Sequence, residues 1–144
     1  MMFRFQQAVE AHIDAVEAFY GNAANLLRIS PPFPRLRIHN TDTAVVAGRT
    51  FSISLDAVLW KTRWQTVIED VQPGKFFVDT MHGTLIRSWR HVHRFEATDR
   101  GTLLTDEIEC TTHWWLVPVV WIGVRACSCI AASPCRRCSH DSGR

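Results

Sequence analysis

The sequence predicts an α+β fold: a curved antiparallel β-sheet, two short helices after strand 1, and a C-terminal helix. Three observations predict it. Residues 35–112 carry runs of alternating apolar and polar residues separated by turn-forming residues, the pattern of half-buried strands joined by hairpins. Helical spacing is confined to a stretch before that region and a stretch after it. Finally, 144 residues with 47% hydrophobic and 21% charged side chains suit one folded domain and exclude disorder over the whole chain.

The elements follow in order. Phe3, Phe5 and Gln7 alternate with Arg4 and Gln6, which predicts an opening strand with one buried face. From Ala11 the period changes, and Ile13, Val16, Phe19 and Tyr20 fall at helical spacing before Gly21. Asn22 is placed to cap a second short helix through Leu26, Leu27 and Ile29, which the prolines from Pro31 onward end. About six strands are then expected. The first holds Leu36 and Ile38; a longer one holds Val45, Ala47, Phe51, Ile53 and Leu55, with a bend at Gly48. Trp60, Trp64 and Ile68 mark the next, and Gln72-Pro73-Gly74-Lys75 turns the chain into Phe77, Asp79 and Met81. Ser88 to Phe95 is the clearest alternation in the protein, and Asp99-Arg100-Gly101 leads into Leu104, Asp106, Ile108 and Cys110. Pro118 suits the first turn of a helix reaching Ala131, with Val117, Trp121, Val124 and Ser128 toward the sheet and Arg125 toward solvent. In this reading Trp121 inserts toward Trp64 or Trp89.

Charge and cysteine usage bound the partners. Residues 1–113 carry twelve basic and thirteen acidic side chains, and residues 114–144 carry four Arg and one Asp. A body so near neutrality has no broad electrostatic hold on nucleic acid. The N-terminus lacks the apolar core of a signal peptide, so the expected compartment is the cytoplasm. Trp114 to Ala132 is of marginal length for a membrane span and carries Arg125, so no stable span is expected. Cys127, Cys129, Cys135 and Cys138 crowd together near His140, but Cys127 and Cys129 lie two apart on an expected helix and do not share a face. They are read as incidental, and residues 133–144 as a flexible tail.

The chemistry concentrates on the strand 88–95. Trp89, His91, His93 and Phe95 share one face; Arg90 and Arg94 share the other, which wants water. The histidines therefore point inward, about 6.5–7 Å apart along the strand. Asp106 interrupts Leu104, Ile108 and Cys110, and Asp79 interrupts Phe77 and Met81; charges on apolar faces need partners, and the histidines are the available ones. Four readings stand open for His91, His93, Asp79 and Asp106: a structural polar network, lining of a ligand pocket, general acid–base catalysis, and a metal site. Two histidines at this spacing suit one ion, but the sequence fixes no third ligand, so no metal and no cofactor are expected. The remaining inward aromatics, with Trp60, Trp64, Phe77, Met81, Trp89, His91, Phe95 and Trp121 as candidate lining, offer more wall than one helix fills.

Particular stretches also carry a resemblance. Asn25-Leu26-Leu27-x-Ile29-x-Pro31-Pro32, Phe76-x-Val78-Asp79-x-x-x-x-Gly83, Trp89-x-His91-x-His93-x-Phe95 and Gly101-Thr102-x-x-x-Asp106 lie in a segment, Phe3 to Thr112, that resembles the START-like or SRPBCC superfamily of helix-grip proteins. The likeness is greatest to small bacterial ligand-binding members. It implies an apolar cavity between the sheet and a long C-terminal helix, within a domain spanning residues 1–132. It transfers no catalytic set onto particular residues. After Thr112 the chain departs from the family pattern, in the manner of a truncated gene, an altered reading frame or divergence. The expected function is binding of a hydrophobic or aromatic small molecule or lipid, by a monomer or weak homodimer. The alternatives are a cyclase-, dehydratase- or isomerase-type enzyme acting on an aromatic or polyketide-like substrate, and a protein-interaction module.

Overall fold

A computed structural model describes residues 1–30, 32, 35–56, 61–83, 86–118 and 120–122. Its strands are β1 (Met2–Val9), β2 (Arg35–Ile38), β3 (Thr50–Asp56), β4 (Lys61–Gln72), β5 (Phe76–His82), β6 (Ile86–Thr98) and β7 (Gly101–Thr112). They form one antiparallel sheet in the order β1-β7-β6-β5-β4-β3-β2. Strands β2 to β7 are the six-strand meander the alternation predicts. The sequence did not reveal that β1 returns to pair with β7 along its whole length, from Met2 opposite Glu109 to Val9 opposite Thr102.

Two irregularities bend the sheet. Ile68 faces Asp79 while Asp70 faces Val78, so Glu69 is an extra residue in β4. Ile86 faces Thr112 while Ser88 faces Thr111, so Arg87 is an extra residue in β6. Such bulges turn a strand and increase its twist. The outer face is covered by long charged side chains, with Arg90 to Glu69 at 3.3 Å and Arg94 to Glu107 at 3.2 Å. These exposed pairs add little energy singly. On the same face Val78 and Val92 are register partners, and both are buried.

Helix α1 (Ile13–Tyr20) and helix α2 (Leu26–Ile29) are joined by a 3₁₀ turn over Ala23–Asn25. Asn22 does cap that turn: its Oδ1 accepts from the Ala24 amide at 3.0 Å and from the Thr43 hydroxyl at 2.7 Å. On the concave side α1 places Val16, with no exposed surface, against Val9, Phe77, Phe95 and Leu104. Glu17 holds the turn between β4 and β5, accepting from the Gly74 amide at 2.7 Å.

Two expectations are corrected. Val45 and Ala47 do not begin the third strand, which starts at Thr50. The Val45 amide donates to Gly21 O at 2.8 Å and the Ala23 amide to Thr43 O at 2.7 Å, so this stretch pairs with the helical segment. Gly48, at φ 80°, then turns the chain into β3. The second correction concerns Trp121. A 3₁₀ turn at Trp114–Leu116 precedes helical backbone at 117–118 and 120–122. That tighter turn shifts the helical phase. Val120 consequently packs against the cluster of Ile108 and Cys110, whereas Trp121 is 48% exposed. The expected positions of Trp60, Val124, Arg125, Ser128 and the tail lie outside the described residues.

Gly101 opens β7 with φ 140°, and a Cβ there would stand 2.2 Å from Val9 O and 2.9 Å from the Ala11 nitrogen. The β1–α1 corner is thus closed directly over this glycine, beside the buried Thr102 hydroxyl that donates to Ala11 O at 2.8 Å. Gly101→Ala is expected to destabilise the protein by about 1–3 kcal/mol through backbone displacement, measured by urea denaturation.

Candidate functional site

The site is built by register. His91 of β6 stands opposite Asp79 of β5 on one side and Ile108 of β7 on the other. Two residues along, His93 stands opposite Phe77 and Asp106. Side chains two apart on a strand share a face, so both histidines and both acids rise from the concave wall. Around them the same face carries Phe3, Phe5, Ile68, Phe77, Met81, Trp89, Phe95, Leu104 and Ile108.

The four polar side chains meet in a closed arrangement. His93 Nε2 lies 3.3 Å from Asp79 Oδ2, and His91 Nδ1 lies 3.8 Å from the same oxygen. On the other side, His93 Nδ1 lies 2.8 Å and His91 Nε2 3.4 Å from Asp106 Oδ1. The two imidazole centroids are 3.7 Å apart. All four side chains are between 12% and 21% exposed, so they are largely removed from water. His91 Nε2, His93 Nδ1 and Asp106 Oδ1 are buried and make no well-directed hydrogen bond. The approach to Asp106 is close but electrostatic in character.

Burial alone would push His93 toward its neutral form. The close contact and negative charge of Asp106, and after them the hydrogen bond and charge of Asp79, reverse this, raising its pKa to about 9. Burial likewise disfavours an ionised Asp106, yet His91 and His93 hold that carboxyl well below the usual carboxylate range. Cys110, on the same face, has no exposed surface, and burial pushes its thiol up, as for an inert core cysteine.

Aromatic rings connect this cluster to a cavity. Phe77 stacks on His93 with centroids 4.2 Å apart, and Tyr20 of α1 lies 5.7 Å from His93 and 5.6 Å from Phe95. A cavity of about 390 Å³ is lined by Glu17, Tyr20, Gly21, Val45, Val46, Ala47, Val71, Pro73, Phe76, Phe77 and Phe95. A second of similar volume sits at the far edge by Leu27, Ser30, Arg35 and Leu36. Strand β2, at that edge, is three strands from β5, so the second cavity is remote from the polar cluster.

Among the sequence-predicted residues, the structure brings His91, His93, Asp79 and Asp106 together, and it places Phe77 and Phe95 in the cavity wall. Trp64 instead packs beside Phe51, Ile53 and Ile68, and Trp89 beside Ile108 and Cys110. Met81 pairs with Trp89 across β5 and β6, away from that wall. Sequence reasoning missed Glu17, Tyr20, Val45 and Val71. Tyr20 was legible only as a helix-face residue, and Val45 was mistaken for strand.

Protein CV1439 from Chromobacterium violaceum superposes with a TM-score of 0.77 at 13% identity, covering 92% of this chain and 94% of that one. Protein Ms6760 from Mycobacterium smegmatis gives 0.76 at 15% identity, covering 99% and 93%. The likeness is one of fold, the helix-grip architecture. The di-domain ARO/CYC StfQ from the steffimycin biosynthetic pathway shares it, with a TM-score of 0.70 at 14% identity over 96% of this chain and 51% of that one. No family model matches the chain, and no curated protein matches it.

The raised pKa of His93 gives stability a defined pH dependence. The folded value, about 9, exceeds the ordinary 6.5 expected on unfolding. The contribution is therefore fully present below pH 6.5 and is lost as pH rises through about 9. Asp106 acts in the opposite direction, its contribution being lost only in strong acid. With EDTA present, unfolding free energy is expected to fall by on the order of 2–3 kcal/mol between pH 6.5 and 9.5. The same urea melts on His93→Gln should show little change across that window.

Proposed function

We propose that this chain binds a hydrophobic or aromatic small molecule or lipid on the concave face of the sheet, beside α1 and the loop through Val45 rather than against the C-terminal helix that the sequence suggested. The observation that carries the reading is the cavity of about 390 Å³ walled by Tyr20, Val45, Val71, Phe77 and Phe95. Its volume falls in the range of small-molecule pockets, roughly 300–1,000 Å³. Its walls are apolar and aromatic, and a polar cluster stands directly against them through the ring of His93. A ligand with an apolar body and one polar group matches that arrangement. The fold likeness supports the same reading, since this fold places a helix across an open concave face. Among the described residues no helix is long and apolar enough to cross a membrane.

A second reading has its own support. His93 and Asp106, 2.8 Å apart, form an ion pair able to exchange a proton. The shared fold of an ARO/CYC protein suits the same chemistry, and a cyclase- or dehydratase-type reaction on an aromatic or polyketide-like substrate would use it. In that case His93→Gln should abolish turnover while leaving ligand affinity within a few-fold.

Native mass spectrometry of gently purified protein is expected to show a retained small molecule. Ala47 lines the cavity and is exposed, so Ala47→Trp should close the mouth with little cost to the fold. That variant is expected to weaken binding of the retained molecule, or of a naphthalene-sulfonate dye, by about tenfold or more. Unchanged dye affinity in Ala47→Trp, with no molecule retained by the parent chain, would remove the basis of the reading.

A further inference from the structure

We propose that Asp79, His91 and His93 bind a divalent first-row transition metal ion, with Asp106 as the positioning carboxylate behind both histidines. The inference stands apart from the small-molecule reading and rests on the cluster's own geometry. One ligating atom from each of Asp79, His91 and His93 can be chosen so that all three lie within 4.8 Å of one another. Bonds of about 2.0–2.1 Å at a tetrahedral centre place donor atoms about 3.4 Å apart. His93 Nε2 and His91 Nδ1 stand 3.3 and 3.8 Å from Asp79 Oδ2, near donor–donor spacing, and the two rings, now 3.7 Å apart at their centroids, must splay to about 5 Å to direct both lone pairs at one ion.

The second observation is independent of that spacing. The opposite nitrogens, His91 Nε2 and His93 Nδ1, both turn toward Asp106 Oδ1, and all three atoms are buried without a well-directed hydrogen bond. Metal-ligating histidines characteristically donate their far ring N–H to a carboxylate, which fixes tautomer and ring orientation. Asp106 occupies that position for both rings at once. Binding would displace the proton that His93 Nε2 shares with Asp79 Oδ2 at 3.3 Å, leaving the remaining ring protons on His91 Nε2 and His93 Nδ1, toward Asp106, and lone pairs toward the ion. Two imidazoles and one carboxylate suit zinc, iron or nickel; calcium and magnesium prefer all-oxygen sites. The basic side chains of the same strand, Arg90 and Arg94, face outward to Glu69 and Glu107, so neither competes for the site. A water or a ligand oxygen would take the remaining coordination position.

The test uses the full chain, stripped with EDTA, with accessible thiols blocked by iodoacetamide so that cysteines do not contribute. Zinc is titrated calorimetrically and, in parallel, into ¹⁵N-labelled protein observed through its histidine ring nitrogens. The expected result is one zinc per chain, with His91 Nδ1 and His93 Nε2 moving to metal-bound shifts while the far nitrogens keep their protons. Asp79→Asn should weaken binding by at least about tenfold, and Asp106→Asn by about 10–100-fold with loss of the fixed far-nitrogen tautomers. Asp106→Glu should recover part of that loss. Absence of zinc binding by the parent chain, shifts confined to other histidines, or affinity indifferent to Asp79→Asn would each overturn the proposal. Should a variant fail to fold, the ring-nitrogen shifts of the parent chain decide the matter alone.

Discussion

Two histidines rising from an apolar concave wall need compensating charge, and β6 receives it from both neighbours. Asp79 comes from β5 and Asp106 from β7, each placed by antiparallel register. A one-residue slip of either hairpin would carry an acid to the outer face and leave the histidines buried among Phe77, Trp89 and Ile108. Removing one partner of such a buried pair generally costs several kcal/mol, far more than a surface ion pair supplies. The central register is thus held by its polar residues as firmly as by its apolar ones.

The surrounding packing follows from that placement. Phe77 and Tyr20 lie against His93, and Tyr20 belongs to α1, so the orientation of α1 is coupled to the cluster. Glu17, one turn earlier on α1, fixes the β4–β5 turn at Gly74. Between them the helix, the loop through Val45 and the aromatic wall leave a cavity unfilled. Polar chemistry and empty apolar volume are therefore neighbours because one helix touches both.

Much of this was legible in the sequence wherever side-chain alternation carries the information. Arg90 and Arg94 between His91, His93 and Phe95 fixed the inward face of β6, and isolated acids among apolar residues identified Asp79 and Asp106. Even the bulges left a trace. Ile68 and Val71 both face inward although three residues apart, as do Ile86 and Trp89, and such a phase break marks an extra residue. What alternation cannot express is pairing between distant segments. The return of β1 to β7, the bonding of Val45 to Gly21, and the gathering of Glu17, Tyr20 and Val71 around one cavity are long-range outcomes. The exposure of Trp121 depended on a 3₁₀ turn that changes helical phase by a fraction of a turn, which no residue spacing announces.

His93 and Asp106 form one interacting unit within the fold. A double-mutant cycle with His93→Gln, Asp106→Asn and the double variant, followed by urea unfolding at pH 6 with EDTA present, tests it most directly. A coupling energy of about 1–3 kcal/mol is expected, since each single change removes the nearest opposite charge of the other group, leaving His93 only Asp79 and Asp106 only His91. Single-variant effects that add to within about 0.3–0.5 kcal/mol would show the two side chains to be energetically independent, and would contradict it.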